Sequence, residues 1–432
     1  PVDLSLQPRT TLPASASPIR PNGDSSDEGQ HDGCASLGQR PESREAIAAA
    51  IQKLGMQLLQ NLETTPEQPN VIISPFSISL ALSHLCTTNM QLPRAVNETE
   101  ELLMHHLHEK TLPCYHESLH SVLEQLRNND LQIATRIFLR QGFEPKQDFV
   151  NESQQLYDSE PAVLESLQQI NDWVEKATEG KMTDFLSALP PNLLLMLINA
   201  VHFKGEWKAR FDPRFTSRGV FYLDEDQMVD VEVMEDVKPS SLNSSLFQDI
   251  VASFPFQKSM SLLVVMPSSG QVNVSSLSAK LNISDLYDRL PKERAVQVKV
   301  PKFKLEYAQE LQDVFIKLGL GDMFSHPNLA KMADGPLLVS SVIHKSSMEV
   351  NEEGAEAAAA TAVVISRASN PVFHLIQPFF FVLVDDTTQV PIFMGVITNP
   401  NPGAPVMQRV SPGITKLLSC NSYFMFFMTC YQ

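Results

Sequence analysis

The apolar period changes along this chain, and that change limits its fold more than any other feature. Ile47, Ile51, Leu54, Leu58 and Leu62 recur at steps of three and four, laying one apolar stripe along a helix. Later the step becomes two. Val296, Val298 and Val300 alternate with Gln297 and Lys299, and Phe303, Leu305 and Tyr307 resume the pattern after Pro301. Leu131–Arg140 and Ser261–Met266 read as mostly apolar strands, and Phe379–Val384 and Ile392–Ile397 as buried strands joined across Asp385–Gln389. Helical patterning dominates the first half and strand patterning the last third, with no regular strand–helix alternation and no internal repeat. The class is therefore α+β, not a doubly wound sheet.

The 432 residues are 43% hydrophobic, enough for a large core, which excludes a disordered or fibrous chain. A net charge of −17 repels phosphate backbones, so nucleic acid is not an expected partner. No apolar run reaches a membrane-spanning length, so no membrane partner is expected either. Residues 1–44 are rich in Pro, Ser, Asp and Gly and read as a flexible tail ahead of a packed body at 45–405, with a C-terminal extension at 406–432. Five glycosylation acceptors, at Asn97, Asn151, Asn243, Asn273 and Asn282, predict a secreted glycoprotein of the extracellular space. The five cysteines, Cys34, Cys86, Cys114, Cys420 and Cys430, lack zinc-finger spacing, and an odd number leaves at least one thiol unpaired or paired between chains.

Catalytic signatures are missing. The sequence has no glycine-flanked nucleophile serine and no phosphate-cradling loop, and Gly319-Leu320-Gly321 lacks the third glycine of a dinucleotide loop. His105, His106, His108, His116 and His120 cluster within sixteen residues, but Leu112 stands where a metalloprotease helix after His108-Glu109 needs its second ligand. A solvated polar face explains the cluster better than zinc. No enzyme activity, cofactor or metal is expected.

The informative segment is Glu352-Glu353-Gly354-Ala355-Glu356-Ala357-Ala358-Ala359-Ala360-Thr361, which runs into β-branched residues and a lone arginine at Ser366-Arg367-Ala368. By local propensity it reads as a helix with acidic residues at its start. Laid out as a strand it has another use. Ala355, Ala357, Ala359 and Thr361 would share one small, uncharged face, with Glu356 on the other, and small side chains let a strand slide into a narrow gap between two others.

At this point the chain resembles the serpins, the serine-protease-inhibitor fold. Asn70-Val-Ile-Ile-Ser74-Pro75-Phe-Ser77-Ile-Ser-Leu-Ala-Leu is similar to an early motif of that family. Asn199-Ala-Val-His-Phe-Lys-Gly205-Glu-Trp207-Lys-Ala-Arg-Phe-Asp-Pro213 is similar to its most recognisable internal block. Pro378-Phe-Phe-Phe and Pro391-Ile-Phe-Met-Gly395-Val-Ile-Thr-Asn399-Pro400 are similar to its C-terminal strands. The match runs in order from about Glu45 to Pro405. It implies about nine helices around three β-sheets and an exposed reactive-centre loop at about 352–372. Glu353, Gly354, Ala355, Ala357, Ala359 and Thr361 would form the loop's hinge.

The resemblance also implies a function. A trypsin-like serine protease would cut Arg367–Ala368, and the freed loop would insert into the main sheet and trap the enzyme. Counting fourteen positions from Gly354 reaches Ala368, one past Arg367, so an elastase-like cut after Ala368 is the alternative bond. The expected target is plasmin and the expected role the restraint of fibrinolysis. Asn70, Ser74, Ser77, Asn199 and His344 would be the polar shutter under the opening sheet, with Trp207 at its upper end, or the breach. Cys34 would bridge to Cys114; closing a loop of about 80 residues is worth about 4 kcal/mol in the chain-entropy model. Cys86 then looks like a buried thiol. Gln7 is the candidate for cross-linking to fibrin. Only Arg94, Lys110 and Arg127 are basic between residues 90 and 129, so heparin is not an expected partner. Lys416 is the one lysine after residue 405, so a lysine-rich tail that docks on plasmin is not evident. A monomer is expected. The competing reading is a non-inhibitory carrier or storage serpin whose loop is only a substrate, against which the small, uncharged hinge argues.

Overall fold

The computed structural model describes residues 40–86, 107, 114–127, 131–246, 249–354 and 370–409. The tail before residue 40, the loop residues 355–369 and the segment after 409 lie outside them. Nine α-helices lie among the described residues. The first, α1 (Pro41–Asn61), starts inside the segment read as a tail, because Pro41 suits a first helical position and Glu42 a first turn. Its buried face carries Ile47, Ile51, Leu54 and Leu58, whereas Leu62 is its C-cap. Then follow α2 (Pro75–Cys86), α3 (Tyr115–Leu126), α4 (Gln147–Tyr157) and α5 (Leu167–Ala177). The short α6 (Val274–Ser278), α7 (Ile283–Arg289), α8 (Gln312–Lys317) and α9 (Asp322–Ser325) come later.

The strands are β1 (Val71–Ile73), β2 (Leu131–Arg140), β3 (Ala162–Leu164), β4 (Leu195–Lys204), β5 (Thr216–Tyr222), β6 (Gln227–Leu246), β7 (Asp249–Pro255) and β8 (Met260–Met266). After them come β9 (Arg294–Pro301), β10 (Phe303–Glu310), β11 (Val339–Val350), β12 (Val372–His374), β13 (Phe379–Asp385), β14 (Pro391–Ile397) and β15 (Met407–Gln408). The main sheet has the order β10-β11-β4-β2-β3. A larger network runs β1-β14-β13-β8-β7-β6-β9-β12, with β5 and β15 also on β6. The 20-residue β6 pairs with β5 and β9 along its first part and with β7 along its end, so this network divides at β6 into two halves. Three sheets thus arise from two hydrogen-bonded networks. β15 pairs Met407 and Gln408 with Met228 and Gln227, which carries the folded body past residue 405.

In the main sheet β11 and β4 are parallel neighbours, in register from Val339↔Leu195 to Glu349↔Lys204 with one shift after Val339. Nine consecutive residues of β4 are buried. Leu195, Leu197, Val201 and Phe203 join the main core, while Met196, Ile198 and Ala200 pack with Ile170 and Val174 of α5. A strand covered on both faces loses the polar alternation that marks an exposed sheet.

Candidate functional site

The seam between β4 and β11 is held at mid-height by a buried polar cluster. Asn199 and His344 are direct register partners, and both are at most 1% exposed. His344 Nε2 accepts the Ser74 backbone N–H at 3.2 Å, so Nδ1 carries the proton and donates to Asn199 Oδ1 at 2.6 Å. Ser77 Oγ donates to the same Oδ1 at 2.8 Å. Asn199 Nδ2 in turn donates to Ser77 O at 3.0 Å and to Thr135 Oγ1 at 2.8 Å. Three adjacent strands and the start of α2 are thereby tied at one point. Ser74, Ser77, Asn199 and His344 meet in this one cluster, and Thr135 on β2 joins them. Its hydroxyl meets a partner 64 residues away, so no local signal marks it.

Asn70 stands apart. Its Nδ2 donates to Asn399 O at 2.7 Å, and its Oδ1 accepts from the N–H groups of Thr398 and Asn399, both at 2.9 Å. It fastens the chain after β14 rather than the seam, because its position ahead of β1 places it beside the end of β14, which pairs with β1.

The upper end of the seam is closed by the base of the loop. The parallel approach of the two chains continues beyond the strands to a bridge between Trp207 and Gly354. Trp207 N–H donates to Glu353 O at 2.9 Å, its Nε1–H to Asn351 O at 2.6 Å, and Phe211 N–H to Glu352 O at 3.0 Å. The indole is 3% exposed, stacked on Phe256 at 4.3 Å between centroids and edge-on to Phe211 at 5.4 Å. A side chain on Gly354 would place its Cβ 2.4 Å from Trp207 O, so only glycine fits there. Two lysines that the sequence reading did not single out hold the acidic pair. Lys204 Nζ lies 2.6 Å from Glu353, and Lys302 Nζ lies 3.2 Å from Glu352, which also accepts from Thr216 Oγ1 at 2.8 Å. The hydrogen bond to Glu353 raises the Lys204 ammonium above its ordinary pKa.

Arg367, Ala368, Ala355, Ala357, Ala359 and Thr361 lie outside the described residues, as do Gln7, Cys34, Asn97, Cys420 and Cys430. Cys114 is disulfide-bonded and precedes α3 in a left-handed conformation. Asn151, Asn273 and Asn282 are exposed, the last two at the starts of α6 and α7, whereas Asn243 is half-buried on β6. Among the described residues no helix is long and apolar enough to cross a membrane.

Burial holds three histidines neutral. His84 and His344 are pushed down to about 3, and His202 to about 4, with the Lys181 charge adding to the effect of burial at His202. The unfolded chain takes up these protons near pH 6.5 and the folded one does not. Their contribution to stability is complete above pH 6.5 and is lost as pH falls toward 3 to 4, at up to about 1.4 kcal/mol per pH unit for each histidine. Melting temperatures are therefore expected to fall from pH 7 to pH 5. His84→Phe, which keeps the stacking on Tyr157 and Phe149, is expected to remove about a third of that slope. A slope unchanged in the variant would mean that His84 takes up its proton as readily in the folded state as in the unfolded one.

The comparisons place this geometry in a family. The model of the serpins, described as serine protease inhibitors, matches residues 49–400, and the chain belongs to that family. The family is one of protease inhibitors, not of enzymes. The chain is 38% identical to alpha-2-antiplasmin of Bos taurus over 85% of this chain and 75% of that protein, and 39% identical to alpha-2-antiplasmin of Mus musculus over 86% and 76%. It is 30% identical to human pigment epithelium-derived factor over 82% and 87%. Among solved structures, mouse protein Z-dependent protease inhibitor shares the fold with a TM-score of 0.71 at 24% identity, over 84% of this chain and 100% of that one.

Proposed function

We propose that this protein is a secreted suicide inhibitor of a trypsin-like serine protease, with plasmin the target and Arg367–Ala368 the bond attacked. The observation that carries the reading is the parallel pairing of β11 with β4, together with the direct run of β11 into the loop. A strand that follows β11 and turns back is antiparallel to it, and between two parallel strands it is antiparallel to both. Insertion exchanges one parallel ladder for two antiparallel ones, which are the more stable kind. Gly354 is the pivot, and the small face of Ala355, Ala357, Ala359 and Thr361 suits passage through the seam.

In this mechanism the guanidinium of Arg367 pairs with a carboxylate in the protease pocket. The protease serine attacks the Arg367 carbonyl, the amine of Ala368 leaves with a proton, and an acyl-enzyme forms. Insertion then carries the acylated protease across the molecule and distorts its site before water can release it. The Glu352 and Glu353 ion pairs and the Trp207 bonds hold the loop's base until cleavage. The same reading takes the chain as a monomeric plasma glycoprotein with a Cys34–Cys114 disulfide, and Gln7 as the point of attachment to fibrin.

The test is to mix the protein with plasmin and examine the products on a denaturing gel, sequencing the small released fragment. A stable covalent complex and a fragment beginning at Ala368 are expected, and Arg367→Ala is expected to abolish the complex. Clean cleavage without complex would make the loop a substrate only, and a fragment starting elsewhere would move the bond.

A further inference from the structure

Helix α1 borders a groove shared with α6 and the turn that leads into α7. Its volume is about 470 Å³, within the range of sites that hold small molecules. Met56 and Leu281, both buried, give it an apolar floor. Lys53, Gln57 and Gln60 line it from α1, and their side-chain polar groups have no partner among the described residues. No carboxylate lines it among those residues. Unpaired amides above an apolar floor, with no acidic group, suit a neutral ligand that offers many hydroxyls beside C–H surfaces. That is the chemistry of a carbohydrate.

A point of attachment for one stands in the wall of the groove. Asn282 lines it, is exposed, and heads the acceptor motif Asn282-Ile283-Ser284. Its Oδ1 accepts the Asp285 N–H at 3.2 Å, which fixes the amide and leaves Nδ2 for a sugar. Gln52 of α1 grips the chain on both sides of it, since Nε2 donates to Leu281 O at 2.6 Å and Oε1 accepts the Ile283 N–H at 3.0 Å. A group on Asn282 thus starts from a fixed position against α1. Asn273 caps α6 in the same way, its Oδ1 accepting the Ser276 N–H at 2.8 Å, but the groove beside it is lined by the charged Asp249 and Lys280.

We propose that the first sugars of a glycan on Asn282 lie in this groove and bind Lys53, Gln57 and Gln60, an assignment that rests on the reading of the chain as a secreted glycoprotein. The groove is then a carbohydrate site filled by the chain's own modification. Attachment exchanges one Nδ2 hydrogen for the anomeric carbon of the sugar, and the diphosphate carrier of the donor oligosaccharide leaves with that proton. The seated sugar covers the free amides and adds to the link that Gln52 makes between α1 and the start of α7.

The experiment uses the full chain secreted from mammalian cells, unaltered and as Q57A/Q60A, alanine being the best helix former for α1. A peptide N-glycosidase is added to native and to denatured protein, and mass spectrometry follows the change from Asn to Asp at each acceptor. Aspartate also caps a helix, so the product keeps its fold. A sugar seated nine-tenths of the time is open to the enzyme for the remainder, so release at Asn282 is expected to be about ten times slower from native than from denatured protein. Q57A/Q60A is expected to raise the native rate at Asn282 by about fivefold or more and to leave the rate at Asn273 unchanged. Equal native rates at Asn282 in the two proteins overturn the seat, and a rate that rises equally at Asn273 reports a loosened fold and overturns it too. Sugar on Asn273 with none on Asn282 overturns the seat and leaves the glycoprotein reading intact. A secreted chain with no sugar at any acceptor overturns both.

Discussion

Replacing Asn199 with leucine is expected to lower the melting temperature by about 3–8 °C, with little change in side-chain volume. The amide makes four hydrogen bonds in a site that is 1% exposed. Without it, Ser77 Oγ can still turn to Ser74 O at 3.2 Å, but His344 Nδ1–H and Ser77 O lose buried partners. Each orphaned group costs about 1–3 kcal/mol, so about 2–6 kcal/mol in all. At the usual unfolding entropy per residue, a body of about 360 residues loses about 1.3 °C per kcal/mol. Thr135→Val removes one acceptor and is expected to cost about 1 kcal/mol. Calorimetry of both variants is the check. A melting temperature unchanged in Asn199→Leu would mean that these bonds do not hold the seam together.

Gly354→Val acts at the other end of the seam. A Cβ there meets Trp207 O at 2.4 Å and Trp207 N at 2.9 Å, both on the backbone, so the neighbour cannot yield by a side-chain rotation. The bridge must open, and the bonds from Trp207 and Phe211 to residues 351–353 are expected to go with it, at a cost of about 2–3 kcal/mol. Trp207 is one of two tryptophans in the chain and is buried here, so its emission is expected to move to longer wavelength as water reaches the ring. Gly403→Ala is the control, since a Cβ at that position meets nothing within 4 Å. An unshifted spectrum in Gly354→Val would show that the loop's base is not fastened through Trp207. Under the inhibitory reading the variant is also expected to yield more cleaved chain and less covalent complex, because a larger side chain must enter the seam first.

Much of the element pattern was legible because it is local. The stripe from Ile47 to Leu58, the alternation from Val296 to Tyr307 and the apolar runs that became β13 and β14 each follow from spacing alone, since one face of each element must leave water. The ordered blocks around Ser74, Asn199, Phe379 and Gly395 carried the family. β4 carried no such periodic signal. Buried on both faces, it reads as a plain apolar run, and it was known only through the family block that includes Asn199. The middle of the chain, from β4 to β8, is accordingly richer in strands than its patterning suggested.

What the tertiary structure decided is which of these residues meet. Asn199 reaches Ser77 across 122 positions and His344 across 145, and those bonds exist because β11 lies parallel to β4 in one particular register. A one-residue slip would turn every one of these side chains to the other face. Asn70 shows the same limit from the other side, since its family block suggested the seam and its strand pairing sent it to Asn399. Lys204 and Lys302 look like ordinary surface lysines until the loop's base brings Glu353 and Glu352 to them. The sequence by itself determined the elements and the class, because propensity and burial act over a few neighbouring residues. Sheet register, and with it the seam and the fastening of the loop, is a property of contacts between distant segments, and only the folded chain expresses it.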